Sequence, residues 1–256
     1  MYKKLVKNFF FKLGYEIKKI PNFYTFINIY DSYEKAYLAS NNSVKYVTKE
    51  HQQSFKLSDL ENLEVADRFN IFPVFCAIAF NEINEDKLNF LEVGGGHNPI
   101  FLYILKSTGK KYKFSILEEK NFKISIPKKY HNYLNYIYHL KHINFKNLTA
   151  VIFSGSIQFM ENYKHVLEKL FYNRVKYIFI TETIFTLKSK DIFTLQNNME
   201  SVRFPNIFLS LYKLNKLLYK NNYRLIYETT RKIGAYKHNI LKKKDFFVKD
   251  LIYKLD

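Results

Sequence analysis

The stretch Asn89-Phe90-Leu91-Glu92-Val93-Gly94-Gly95-Gly96-His97-Asn98-Pro99 constrains this chain more than any other. An apolar, strand-like run meets an acid, then three glycines, then the start of a helix. Glycine reaches backbone conformations closed to other residues, so the chain can turn sharply and lie close to a ligand. The helix that follows offers unpaired N–H groups and the positive end of its dipole. A strand, a glycine turn and a helix in this order belong to α/β folds built on a mainly parallel sheet.

The rest of the chain beyond residue 86 agrees. Residues 88–93, 112–117, 143–145, 150–153, 175–181 and 223–228 predict strands, and residues 245–249 a seventh. Residues 100–105, 163–172 and 206–218 predict helices, and the aromatics of 130–138 fall at amphipathic helical spacing. The expected fold is α/β, a doubly wound, mainly parallel and Rossmann-like sheet of about seven strands. Residues 1–85 predict a helical region packing on a domain of residues 86–256. Within it, Asp31-Ser32-Tyr33-Glu34 opens a helix through Ala36, Leu38 and Ala39 in the manner of a capping box. A longer apolar helix is expected over residues 65–83.

Composition narrows the partners. Lysine and arginine number 41 against 23 acids, a formal charge of +18. Such a charge points to nucleic acid, acidic lipid or a phosphorylated substrate. Here Lys, Asn, Ile, Phe and Tyr are abundant together, with few Gly and Pro and no Trp. AT-rich coding yields that set without selection for binding, so most of the charge reads as a solvated basic surface. The lone Cys76 sits in an apolar run, which leaves no disulfide within the chain and no cysteine metal site, and suits a reducing cytoplasm. No metal is expected. Residues 1–13 carry a lysine in nearly every turn, unlike a secretory apolar core, and no run approaches the ~20 apolar residues of a membrane span. This segment either lies on an anionic membrane as a basic amphipathic helix or packs on the domain, so the inner membrane face is a second expected location beside the cytoplasm.

The glycine turn admits two ligand classes. A dinucleotide site of pattern G-x-G-x-x-G needs glycine at 99 when Gly94 is first, and Pro99 stands there. An S-adenosylmethionine turn has an acid two residues before G-x-G, which Glu92-Val93-Gly94-Gly95-Gly96 satisfies. The ammonium of that ligand seeks a carboxylate, and its own carboxylate seeks backbone N–H. Asn98 replaces a usual third glycine and tolerates positive φ. Glu118-Glu119 follows the second strand, where a carboxylate can accept both ribose hydroxyls, with Glu118 the better placed. Ser154-Gly155-Ser156-Ile157-Gln158-Phe159 follows the fourth, its small residues permitting close approach to the sulfonium or the acceptor.

Together these segments resemble a family of S-adenosylmethionine-dependent methyltransferases found in bacterial surface-polysaccharide (capsule) gene clusters. The family element Y-x-S-W/Y-x-x-A is similar to Tyr30-Asp31-Ser32-Tyr33-Glu34-Lys35-Ala36. Its G-G-G turn is similar to Gly94-Gly95-Gly96, its S-G-S-L-Q-Y to Ser154-Gly155-Ser156-Ile157-Gln158-Phe159, and its G-Y-x-L to Asn222-Tyr223-Arg224-Leu225. The likeness spans about residues 29–228. It departs at Glu92, where Asp is commoner, and at Phe159, which lacks the tyrosine hydroxyl. The resemblance implies S-adenosylmethionine as cofactor, S-adenosylhomocysteine as product, and a cofactor site of Glu92, Gly94, Gly95, Gly96, Asn98, Glu118, Glu119, Ser154, Gly155, Ser156, Gln158 and Tyr33. It implies methylation of a small-molecule or glycan acceptor, a capsule sugar or its phosphate or phosphoramidate decoration, nucleotide-linked or free.

A sugar hydroxyl needs a base during attack. The candidates are His97 beside the turn, His165 after Ser-Gly-Ser, and Glu182 past the fifth strand. Two other readings compete: a non-enzymatic nucleotide- or polyanion-binding protein on the same fold, and an RNA methyltransferase. The N/D-P-P-Y/F signature of base amino methylation is missing after the fourth strand, so nucleic acid is not the expected partner.

Overall fold

The computed structural model describes residues 24–40, 88–96, 100–109, 111–120, 126, 128–198, 202–231 and 236–256. Eleven strands lie among them: β1 (Tyr24–Tyr30), β2 (Asn89–Val93), β3 (Lys113–Leu117), β4 (Leu134–Ile137), β5 (Ala150–Ser154), β6 (Tyr177–Thr186), β7 (Ile192–Asn198), β8 (Val202–Ser210), β9 (Tyr223–Arg231), β10 (Tyr236–His238) and β11 (Phe246–Leu255). The α-helices among the described residues are α1 (Tyr33–Ala39), α2 (Ile100–Thr108), α3 (Tyr163–Tyr172) and α4 (Leu211–Lys220).

Seven strands run in the order β4-β3-β2-β5-β6-β11-β9. The first five are parallel, and β11 lies antiparallel between β6 and β9. From β2 the chain steps outward through β3 to β4, then returns to build β5 and β6 on the other side. The order therefore reverses between β2 and β5, the place where open α/β sheets form a crevice at their carboxyl ends. Successive side chains point to opposite faces, and both faces are buried, as a parallel sheet requires. Phe90, Phe114, Ile152 and Phe179 pack under α2 residues Ile100, Phe101 and Ile104. Leu91, Val93, Phe153 and Ile180 pack against Val166 and Leu170 of α3 and Leu214 and Leu218 of α4. Helices on both faces make the sheet doubly wound and Rossmann-like, as expected.

The sheet has eleven strands rather than about seven. The end of β6 pairs with β8 at Phe185 and Thr186, and β7, β1 and β10 continue from there. This extension has its own apolar cluster of Phe26, Ile184, Ile192, Phe208 and Phe246. Residues 24–30, expected to be helical with the rest of 1–85, thus form a strand that the β7 edge pairs and Phe26 anchors. The expected helix at Asp31 is α1, whose cap Ser32 accepts from Lys35 N at 3.1 Å.

Three other expectations are corrected. Residues 143–145 are no strand: Leu140–His142 and Phe145–Asn147 are single 3-10 turns. The third parallel strand is β4, inside the aromatic run expected to be helical, because its backbone completes the β3 ladder from Phe114 to Leu117. Residues 206–210 end β8, and the helix starts only at Leu211, where Ser210 Oγ accepts from Lys213 N. The expected helix over 65–83, Cys76 and the basic N-terminal segment lie outside the described residues. Among the described residues no helix is long and apolar enough to cross a membrane.

Candidate functional site

The glycine turn is built by close approach. Gly94 has φ +71° and Gly96 φ +60°, the left-handed region that favours glycine. A Cβ at Gly94 would stand 2.7 Å from Ser156 Cβ, and one at Gly95 would stand 2.8 Å from Glu92 Cδ. At Gly96 it would meet nothing within 4 Å. The turn is pinned from both neighbouring strands: Ser156 Oγ donates to Val93 O, and Gly94 N donates to Leu117 O at 2.9 Å. Glu92 is 1% exposed, and its Oε2 accepts from Ile100 N, the first residue of α2, at 2.6 Å. A carboxylate there satisfies an end N–H of the helix and meets the positive end of its dipole. Glu92 therefore holds the exit of the turn from behind and is not among the residues lining the cavity.

Glu118 stands across from the turn. Its backbone N donates to Ile137 O at 2.9 Å, continuing the ladder between β3 and β4. Its Oε1 accepts from Gly96 N at 2.5 Å and its Oε2 from Glu119 N at 3.3 Å. Burial holds this carboxyl above the ordinary carboxylate range, against the opposing pull of those two N–H donors. Tyr136 of β4 donates its hydroxyl to Gly96 O at 3.0 Å.

Beside the turn and Glu118 opens a cavity of about 780 Å³, a size that suits a small-molecule ligand. Gly94, Gly96, Glu118, Gly155 and Ser156 line its sheet side, and Tyr33 and Tyr37 of α1 with Phe159 and Met160 line the other. Its charged lining is acidic: Glu34, Glu118, Glu119 and Glu161, with no Lys, Arg or His among the described lining residues. That is the reverse of the chain's formal charge of +18. Tyr33 Oη donates to Phe159 O at 2.6 Å, tying α1 to the loop after β5. Burial, with Glu161 and Glu119 nearby, pushes the Tyr33 hydroxyl well above its ordinary value, so it stays protonated as a donor.

The structure thus brings Tyr33, Gly94, Gly96, Glu118, Glu119, Gly155 and Ser156 to one cavity. Of the other described candidates, Glu92, Gly95, Ser154, Gln158, Glu182 and His165 do not line it. Gln158 is buried, and its Oε1 accepts from Ile184 N at 2.8 Å, a structural bond within the sheet. Ser154 ends β5 without reaching the lining. Glu182 lies inside β6 rather than past it, at φ +50°, where the pairing with β11 shifts between Lys249 and Leu251. It accepts from Arg231 Nη1 at 3.0 Å, and Arg231 Nε donates to both oxygens of the fully buried Asp250 at 3.0 and 2.8 Å. A carboxylate paired to an arginine in this way is a poor base, and Glu182 does not line the cavity. His165 lies 60% exposed on α3, 3.8 Å from Glu168, and also does not line the cavity. His97 and Asn98 lie outside the described residues. No group of three His, Cys, Asp or Glu side chains gathers as a metal site among the described residues.

Sequence reasoning missed Glu34, Tyr37, Tyr136 and Glu161. Tyr37 carried a signal, since it stands one helical turn beyond Tyr33 on the same face of α1. Tyr136 carried none, because its partner Gly96 is 40 residues away in the chain.

No family model and no curated protein matches this chain. Among solved structures it is similar to the N-terminal domain of EvdMO1, crystallised in the presence of SAH and D-fucose, at 12% identity and a TM-score of 0.48, covering 87% of this chain and 97% of that one. It is similar to a SAM-dependent methyltransferase from Methanosarcina mazei at 10% identity and a TM-score of 0.46, covering 70% and 96%. It is also similar to a 1,6-didemethyltoxoflavin-N1-methyltransferase from Burkholderia thailandensis at 10% identity and a TM-score of 0.44, covering 90% and 92%.

Proposed function

We propose that this protein is an S-adenosylmethionine-dependent methyltransferase whose acceptor is a hydroxyl of a surface-polysaccharide sugar. One observation carries the reading: the left-handed glycine turn after β2 and the carboxylate of Glu118 after β3, joined by the bond from Gly96 N, line one cavity side by side at the switch point of a Rossmann-like sheet. The residues present fit the cofactor. Space stands open above Gly96, where any side chain would intrude, and Glu118 presents two acceptor oxygens as a pair of ribose hydroxyls demands. Gly94, Gly96, Ser156, Glu118 and Glu119 would hold it, and Tyr33 would close the far wall.

When bound, the cofactor supplies an electrophilic methyl group on a sulfonium centre. The chain supplies alignment and a favourable field. The four carboxylates of the lining suit a cationic ligand, and they repel phosphates, which favours a sugar hydroxyl over a phosphate or phosphoramidate oxygen and disfavours RNA. Tyr33 and Tyr37 offer apolar ring faces with polar tips, a surface that suits a saccharide. We assign α1 the role of covering the site, on the strength of the wall that its Tyr33, Glu34 and Tyr37 provide.

Calorimetric titration with S-adenosylhomocysteine, with NAD as control, tests the proposal. Micromolar binding of the first and none of the second is the expected result. Absence of S-adenosylhomocysteine binding by folded protein would overturn it.

A further inference from the structure

From the two bonds that grip one residue on either side, we infer that Tyr136 is a positioning residue, clamping the glycine turn in its ligand-binding shape through the carbonyl of Gly96. This rests on the cofactor reading above. Gly96 N donates to Glu118 Oε1 at 2.5 Å, and Gly96 O accepts from Tyr136 Oη at 3.0 Å. The two grips differ in permanence. Glu118 is the group that ribose hydroxyls would engage, so its bond to Gly96 N competes with the ligand. Tyr136 stands on β4 beside β3 and is not among the residues lining the cavity, so its bond does not.

Glycine at φ +60° has many alternatives open to it, and a turn of three glycines loses much conformational entropy when it is ordered. A hydroxyl donated from a paired strand removes those alternatives before the ligand arrives, and pre-organisation of this kind appears as affinity. The donor is dependable: burial, with Glu92 and Glu118 nearby, raises the Tyr136 hydroxyl far above its ordinary value, so it keeps its proton at any working pH.

The test is Tyr136→Phe, with Tyr223→Phe as a matched control. Tyr223 Oη donates to Val175 O at 2.6 Å in the buried core, and Tyr223 is not among the residues lining the cavity. Two quantities are read on each protein: the dissociation constant of S-adenosylhomocysteine, and the hydrogen-exchange rate of the glycine-turn amides. Loss of one neutral hydrogen bond predicts about two- to tenfold weaker binding for Tyr136→Phe, with faster exchange at the turn, and neither change for Tyr223→Phe. Unchanged binding in Tyr136→Phe, or an equal loss in both variants, would overturn the clamp. Weaker binding without faster exchange would also overturn it, by making Tyr136 a direct ligand contact. If the unmodified protein fails to bind, the cofactor reading falls, while exchange at the turn still decides whether Tyr136 restrains it.

Discussion

The two sides of the central sheet treat their carboxylates in opposite ways. On the parallel side, Glu92 and Glu118 accept backbone N–H groups from the glycine turn, the start of α2 and Glu119. On the antiparallel side, Glu182 and Asp250 are held by the guanidinium of Arg231. A carboxylate held by neutral N–H donors keeps its negative charge available to a ligand. A carboxylate neutralised by arginine has spent it on the fold. An acid near the functional edge of the sheet is thus an insufficient sign of a site; the partner decides.

The comparison breaks most visibly at Arg231. Arg231→Met leaves Asp250 buried without its cation, so we expect a loss of about 3–5 kcal/mol in chemical denaturation. A loss below ~1 kcal/mol would show that the network does not carry the fold. Next come the glycines. Gly94→Ala combines a left-handed backbone with a 2.7 Å approach to Ser156, so about 2–5 kcal/mol is expected, against roughly 1–2 kcal/mol for Gly96→Ala, which meets only the backbone penalty. Equal melting temperatures for the two variants would contradict the close approach of Ser156.

Glu118→Gln follows, with an effect on binding rather than on the fold. Loss of charged acceptance predicts S-adenosylhomocysteine binding weaker by about 1.5–3 kcal/mol, some ten- to a hundredfold. The pH dependence has two signs. The folded state holds the Glu118 proton more tightly than the unfolded chain does, so this group favours the fold at low pH, and that advantage is lost as pH rises from the ordinary carboxylate value through the raised one. Binding runs the other way: it needs the ionised form, so affinity falls on acidification at a pH above the ordinary carboxylate range. Titrations across that range should show the fall in the unmodified protein and a flat profile in Glu118→Gln. The smallest effect is expected at His165. His165→Ala changes stability by less than about 0.5 kcal/mol and leaves affinity unaltered; a large loss of activity would restore it as a base.

Much of this molecule was legible before any coordinate. Strands β2, β5 and β6 announce themselves as apolar runs, and Gly94–Gly96 as a turn that other side chains cannot make. These are local properties: burial on both faces and positive φ are demands on the residue itself. Glu118 was legible for the same reason, as the first acid after an apolar strand. The aromatic run at 130–138 misled because Tyr and Ile serve a helix face and a strand equally, and pairing with β3 decided between them.

The remainder needed the tertiary structure. Glu182 and Arg231 lie 49 residues apart, and Tyr33 and Phe159 lie 126 apart. No local pattern tells a carboxylate which distant cation or N–H will meet it, because that is set by which strands become neighbours. The sequence by itself determined parallel strands β2, β3, β5 and β6, the turn and its acid. Tertiary pairing alone decided that Glu118 faces the cavity, that Glu182 is closed off by arginine, and that Tyr136 reaches Gly96, since each depends on chain segments brought together only by the completed sheet.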